Sequence, residues 1–291
     1  MISIVISSAN KTQLREVEQN IAQTIGVPYE VIAIDNSTGS KGICKVYNEG
    51  TQQAAYDLIC YMHEDIEMLT PDWGTYVYNT FEMNKQLGAL GIAGCSYKTV
   101  APSGWVAYGN PKVLHYNLIQ SYKYTTKSSE HLHHNPTDEK LAKVATLDGV
   151  WICARKEAAL THPFDETLLT GFHGYDIDFS LALYPYYDIA VTFEVLIRHF
   201  SEGRFEKEWL DISLKLADKY RNALPLSTTA LSKKERMELE IKTAKNIIVK
   251  MLRSGYAIAQ CMAEVWKLRN TLNLFMLIKL WNYARRKFYK P

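Results

Sequence analysis

Three short stretches of this 291-residue chain pair reactive residue types with positions where a backbone can present them. The first is His63-Glu64-Asp65, which follows the apolar run Leu58-Ile59-Cys60-Tyr61-Met62. A hard divalent cation prefers carboxylate oxygens, and an acid at a strand end leaves coordination positions open to a phosphate. Side chains alternate along an extended backbone, so His63 and Asp65 share a face and Glu64 lies off it. A solvated acidic loop is the competing reading. The second stretch is Gly171-Phe172-His173-Gly174-Tyr175-Asp176-Ile177-Asp178-Phe179. Two acids opening a helix can cap its free amides, or one can serve as general base toward a hydroxyl. A cap needs one acid, and here there are two with His173 beside them. The third is His199 within Arg198-His199-Phe200-Ser201-Glu202-Gly203-Arg204. This histidine is either structural or a ligand aimed into a crevice, and Ser201 and Arg204 suit an oxyanion, arginine through bidentate contacts.

The surrounding pattern indicates what positions these groups. Ile2 to Ile6 reads as a buried strand, and Lys11 to Ile25 carries apolar residues at helical spacing (Leu14, Val17, Ile21, Ile25). Tyr29 to Ile34 is a second strand ending in the turn residues Asp35 to Ser40, Tyr47 to Tyr56 a second helix, and Leu58 to Met62 a third strand. Such alternation implies an α/β fold with a mostly parallel central sheet, flanking helices, and ligands beyond the carboxyl ends of the strands. Ser7, Ser8, Asp35, Asn36 and His63 to Asp65 would gather there. Neither a GxGxxG fingerprint nor a GKS/GKT phosphate loop is present. Further strands are expected at Leu87 to Gly94, Val144 to Ala154 (interrupted by Asp148-Gly149) and Ile189 to Ile197, and a helix within Phe172 to Leu183. Loops and short strands from Thr99 to Asn135 would cover the site. Beyond Arg204 the pattern is helical, giving a catalytic unit over 1–205 and a helical extension over 206–291.

Composition sets limits. A net charge of +2 with 22% charged residues gives no basic excess for nucleic acid. The 19 Tyr and 6 Trp can stack on sugars or fill a core. Five cysteines, odd in number and without a CxxC pair, predict reduced thiols in a cytoplasmic protein. The N-terminus reads as a strand rather than a signal peptide, and no run of eighteen apolar residues suggests a spanning helix. After Glu264, the last acid, come seven basic residues, and among them sits the largely apolar run from Leu272 to Trp281. That pattern suits either an amphipathic helix on an anionic membrane, at its inner face, or a helix packed on the protein or a partner.

Taken in order over about residues 1 to 205, the three constellations resemble family 2-like glycosyltransferases of the GT-A fold, in particular a bacterial branch similar to a streptomycin-biosynthesis glycosyltransferase. The resemblance implies that Ser8 and Asp35 meet the nucleotide and that Asn48 lies near the donor. His63-Glu64-Asp65 stands at the Asp-x-Asp motif, departing from it at His63, so Asp65 is the implied metal ligand, with His199 completing the site. Trp105, Asp148 and Trp151 would border the donor sugar or acceptor. Asp176 would be the base and Asp178 an acceptor contact, with Tyr175 standing where the family more often has glutamate. The implied reaction is an inverting single displacement assisted by Mn²⁺ or Mg²⁺. It would move a sugar from a nucleotide-sugar, UDP-sugar favoured, to a glycan or lipid-linked acceptor; self-association stays open. Two alternatives are a non-catalytic nucleotide-sugar-binding or glycan-binding protein and a sugar nucleotidyltransferase, the latter lacking its glycine-rich phosphate loop here.

Overall fold

A computed structural model describes residues 1–123, 125–201, 203 and 206–289. The chain runs β1 (Ile2–Ser8), α1 (Lys11–Thr24), β2 (Tyr29–Asp35), α2 (Ile43–Gln53), β3 (Leu58–Met62), β4 (Ile66–Met68), α3 (Trp73–Met83), β5 (Leu87–Gly91), β6 (Ala93–Cys95) and β7 (Tyr97–Lys98). It continues with β8 (Leu114–Gln120), β9 (Glu130–His134), β10 (Leu141–Lys143), β11 (Thr146–Leu147), β12 (Trp151–Arg155), α4 (Lys156–Thr161), α5 (Tyr175–Leu183), β13 (Asp188–Thr192) and β14 (Ile197–His199). Then come α6 (Lys207–Lys219), β15 (Leu226–Ser227), α7 (Lys233–Arg253), α8 (Ile258–Lys267) and α9 (Leu274–Tyr289).

The central sheet has seven strands in the order β10-β13-β5-β12-β3-β1-β2. β1, β2 and β3 are parallel as their spacing predicts. β12 inserts antiparallel between β3 and β5, so the sheet is mixed. The alternation in β1 sorts its side chains. Ile2, Ile4 and Ile6 pack with Val17, Ile21, Trp73 and Trp151 on one face. Val5 packs with Tyr47, Tyr61 and Phe179 on the other, where Ser3 donates to Glu30 (2.6 Å).

A second sheet, β11-β6-β8-β14-β4 with β9 on β8, stands beside the first. The expected strands Leu87 to Gly94, Val144 to Ala154 and Ile189 to Ile197 are each divided between the two sheets. Each supplies one strand to the central sheet and one to the second (β5 and β6, β12 and β11, β13 and β14). β3 hands over to β4 in the same way through His63-Glu64-Asp65. These crossings cluster at one edge, and the site forms along them.

The helices after residue 206 pack against the sheets, sharing a core with Val5, Tyr61 and Ile152. Helix α7 begins with a capping box in which Ser232 and Glu235 satisfy each other's backbone amides. Its Glu240 is buried and accepts hydrogen bonds from Tyr97 Oη (3.1 Å), Val100 N (3.0 Å) and Ala101 N (3.1 Å). Thr243 Oγ1 accepts from Tyr108 N (3.0 Å). Lys98 supports the same loop from within, donating to Ser103 O, Ser103 Oγ and Gly104 O at 2.7–2.9 Å. Helix α9 buries Leu277, Leu280 and Ala284, while Leu274, Phe275 and Ile278 are exposed. Among the described residues no helix is long and apolar enough to cross a membrane.

The expectation of five free thiols is corrected. Cys60 and Cys153 are bridged as a disulfide, while Cys44, Cys95 and Cys261 are free and buried. The two bridged residues are 93 apart in sequence, and the β3–β12 pairing, which sets them directly opposite, is what joins them. With Cys60 and Cys153 bridged, the cysteines give no ground for a reducing, cytoplasmic compartment.

Candidate active site

β3 is buried along its whole length between β1 and β12, which explains its unbroken apolar sequence. His63 is the first residue past it, its amide donating to Val150 O (3.2 Å). The side chains then alternate as expected. Glu64 turns away and accepts from Ala9 N (3.0 Å) and Asn10 N (2.9 Å), tying this crossing to the start of α1. His63 and Asp65 turn inward, where β14 delivers His199. His63 Nδ1 lies 3.8 Å and His199 Nε2 3.7 Å from Asp65 Oδ1. Three donor atoms, one from each residue, lie within 4.8 Å of one another.

Neighbouring side chains hold these groups. Ser201 Oγ donates to Asp65 Oδ2 (2.6 Å), leaving Oδ1 toward the histidines. His199 Nδ1 meets Gln120 Oε1 (3.4 Å), and the Gln120 amide nitrogen is engaged by Ser121 O (2.6 Å) and Ser201 O (2.8 Å). On the opposite side Tyr175 Oη lies 2.8 Å from His63 Nε2 and 2.8 Å from Gly149 O. Burial, then the neighbouring His199, holds His63 below the ordinary histidine range, so it is neutral and able to act as a ligand. Two imidazole nitrogens and one carboxylate suit a divalent first-row transition-metal ion.

His63 and His199 stand in the wall between two cavities, and Asp65 faces the larger. One, of about 660 Å³, is lined by Ser7, Ala9, Asn36, Lys41 and Glu64 at the carboxyl ends of the parallel strands. The other, of about 360 Å³, is lined by Trp105, Tyr108, Tyr116, Asp148, Asp176 and Trp209. His63, Phe172, His173 and His199 border both.

Helix α5 brings Asp176 to the second cavity. Gly174 starts the helix with φ +85°, and a Cβ there would lie 2.5 Å from Ile212, so glycine is required on both counts. Asp176 Oδ1 accepts from Ile177 N (2.9 Å). Burial first, then the charge of Asp148, push the Asp176 carboxyl up to about 7. Burial also raises Asp148. A carboxyl poised near neutrality in a mostly apolar cavity can take a proton from a hydroxyl.

The structure thus brings together His63, Asp65 and His199, and around the adjoining cavity Trp105, Asp148 and Asp176. Other residues singled out in the sequence lie elsewhere. Ser8 is buried and its neighbours Ser7 and Ala9 line the cavity. Asp35 is exposed and caps its own turn through Ser37 N (2.9 Å), while Asn36 reaches the cavity. Asn48 bridges to Phe164 N and O (3.0 and 2.9 Å). Trp151 sits in the core against Trp73, ring centroids 6.0 Å apart. Asp178 is buried in contacts with Lys219 Nζ (2.6 Å) and Tyr220 Oη (2.9 Å). Arg204 lies outside the described residues. Tyr116 and Trp209 carried no sequence signal beyond the general abundance of aromatic residues.

The chain belongs to the glycosyltransferase-like family, whose model matches residues 1–223. No curated protein matches it. Among solved structures it is similar to GalNAc-T7, crystallised with UDP, GalNAc and Mn²⁺, at 10% identity and a TM-score of 0.52, covering 100% of this chain and 58% of that one. It is also similar to residues 1–349 of S. aureus TarS in complex with UDP, at 11% identity and a TM-score of 0.52, covering 99% of this chain and 87% of that one. The complex of the same protein with UDP-GlcNAc gives 0.51. The fold is GT-A, with a helical C-terminal region.

Proposed function

We propose that the chain transfers a sugar from a nucleotide-sugar, UDP-sugar favoured, to a hydroxyl of a glycan or lipid-linked acceptor, with inversion at the reacting carbon. The observation that carries this is the His63–Asp65–His199 triad, whose histidines stand between two cavities, with the raised Asp176 in one of them. The UDP and UDP-sugar in the similar structures support the choice of donor. The spacing of motifs over residues 1 to 205 supports the finer assignment to the branch similar to a streptomycin-biosynthesis enzyme, and the division into 1–205 and 206–291.

In this reading the larger cavity takes the nucleotide and the smaller one the sugar and the acceptor hydroxyl. His63 Nδ1, Asp65 Oδ1 and His199 Nε2 would hold Mn²⁺ or Mg²⁺; when bound, the ion supplies Lewis-acid stabilisation of the leaving diphosphate. Asp176 removes the hydroxyl proton as the oxygen attacks the far face of the sugar. Trp105, Tyr108, Tyr116 and Trp209 pack on the sugar rings and exclude water that would otherwise hydrolyse the donor. The exposed Leu274, Phe275 and Ile278, with Lys279, Arg285, Arg286 and Lys287 on the same helix, support a peripheral contact with an anionic membrane near a lipid-linked acceptor.

The test is a thermal-shift screen of UDP-, GDP- and dTDP-sugars with and without Mn²⁺, because a ligand that binds only the folded state raises its melting temperature. A UDP-sugar is expected to stabilise the protein, and to do so more with Mn²⁺. No shift with any nucleotide-sugar under either condition would remove the proposal.

A further inference from the structure

A histidine ligates a cation through the ring nitrogen that carries no hydrogen, so the triad works only if each ring is held in the correct tautomer. We infer that Tyr175 is a positioning residue that holds His63 as the Nε2–H tautomer and thereby turns the Nδ1 lone pair toward Asp65. The inference rests on the cation-site reading above.

Gly149 O is a carbonyl and can only accept. It lies 2.8 Å from Tyr175 Oη, a separation at which two oxygens need a hydrogen between them, and the phenol has the only one. Tyr175 therefore donates to Gly149 O. Its oxygen then faces His63 Nε2 at 2.8 Å with lone pairs alone, so that hydrogen belongs to the histidine. The reverse arrangement, with the phenol donating to the ring, would set two acceptors against each other in a buried place at the cost of a lost hydrogen bond. The carbonyl cannot swing aside easily: Val150 N donates to Asp148 Oδ1 (3.0 Å) and Val150 O accepts from His63 N (3.2 Å). Once Nε2 carries the hydrogen, Nδ1, 3.8 Å from Asp65 Oδ1, presents its lone pair to the cation position.

The contact is built into the backbone as well. A Cβ on Gly149 would lie 2.2 Å from Tyr175 Oη, so only glycine lets the phenol reach that carbonyl. Tyr175 is also held in place by Tyr47 and Phe172, ring centroids 5.5 and 6.1 Å away.

Two measurements on the full chain test this. The first is the ¹⁵N–¹H long-range correlation spectrum of the histidines in the metal-free protein, with His63 assigned by its disappearance in His63→Gln. The expected pattern is a pure Nε2–H tautomer, and in Tyr175→Phe a mixture of both tautomers. The second is Mn²⁺ affinity without nucleotide, read from the free-ion electron paramagnetic resonance signal. Tyr175→Phe is expected to weaken binding by about tenfold, the lower end of what lost orienting partners cost. A wild-type His63 in the Nδ1–H form would overturn the inference even if Tyr175→Phe failed to fold. So would a folded Tyr175→Phe protein that kept wild-type Mn²⁺ affinity. Failure of the wild-type protein to bind Mn²⁺ would remove the cation site instead, leaving the tautomer result to stand by itself.

Discussion

Asp176→Asn should stabilise the protein while abolishing transfer. The carboxyl of Asp176 is raised from 3.8 to about 7, first by burial and then by Asp148. In the unfolded chain it ionises at its ordinary value. A group whose folded value lies above its unfolded value contributes its stability at low pH and loses it as pH rises through the folded value. The shift of about 3 units, at about 1.4 kcal/mol per unit, corresponds to an upper limit of about 4 kcal/mol above pH 7. Water entering the cavity lowers this, so about 2–4 kcal/mol is the expected range. Asparagine keeps the oxygen that accepts from Ile177 N and carries no charge. The variant should therefore melt with the wild type near pH 4 and several degrees higher at pH 8. Transfer should fall by about 10²–10⁴-fold in kcat/KM, the usual contribution of a general base. In the wild type, kcat/KM should climb about tenfold per pH unit below 7 and level off above 8. Differential scanning fluorimetry from pH 4 to 8, beside a donor-consumption assay, reads all three. Coincident melting curves across that range, or normal transfer by Asp176→Asn, would refute the reasoning.

Gly149→Ala should push Tyr175 off its carbonyl partner, since the new methyl would lie 2.2 Å from the phenol oxygen; Mn²⁺ titration should show a loss at least as large as that of Tyr175→Phe. Glu240→Ala leaves the buried amides of Val100 and Ala101 without their acceptor, a cost of about 1–3 kcal/mol each. Chemical denaturation should report that loss, and steady-state kinetics a raised acceptor KM, because the loop that carries Trp105 hangs from these bonds. Phe275→Glu with Ile278→Glu should abolish co-sedimentation with anionic liposomes and leave the melting temperature within about 2 °C, since both side chains are exposed; unchanged sedimentation would exclude a membrane contact through this face.

Much of the fold was legible because its signals are local. Ile2 to Ile6, Tyr29 to Ile34 and Leu58 to Met62 announced themselves by β-branched and apolar runs, and the stretch beyond Arg204 by its helical pattern. Period-two alternation also sorted His63 and Asp65 from Glu64, because it survives through the short crossing between β3 and β4. What could not be read was which sheet each half of a long apolar run would join. Leu87 to Gly94 looks continuous in sequence, yet β5 and β6 lie in different sheets, a choice made by partners such as β12 and β8 that are remote in the chain. Site residues drawn from strands were hard to read for the same reason. Trp151 and Asp148 are three residues apart, but one points into the core and the other into a cavity. The Cys60–Cys153 bridge depends on a strand register that no spacing rule supplies. Trp209 joins the site from a helix whose sequence pattern speaks only of packing. Tyr175 was readable only as a departure from a pattern, and so was His63; the structure puts the two departures in contact.

The loop from Val100 to Gly109 takes its shape from a helix more than a hundred residues downstream. Glu240 and Thr243 decide where Trp105 and Tyr108 stand, although neither lines the cavity they help to shape. Under the proposed function, acceptor choice is thus written in two places: in the residues that line this cavity, and in a helix that does not. A chimera that exchanges residues 206–291 carries half of that inheritance with it, and grafting the loop alone would transplant the words without the grammar.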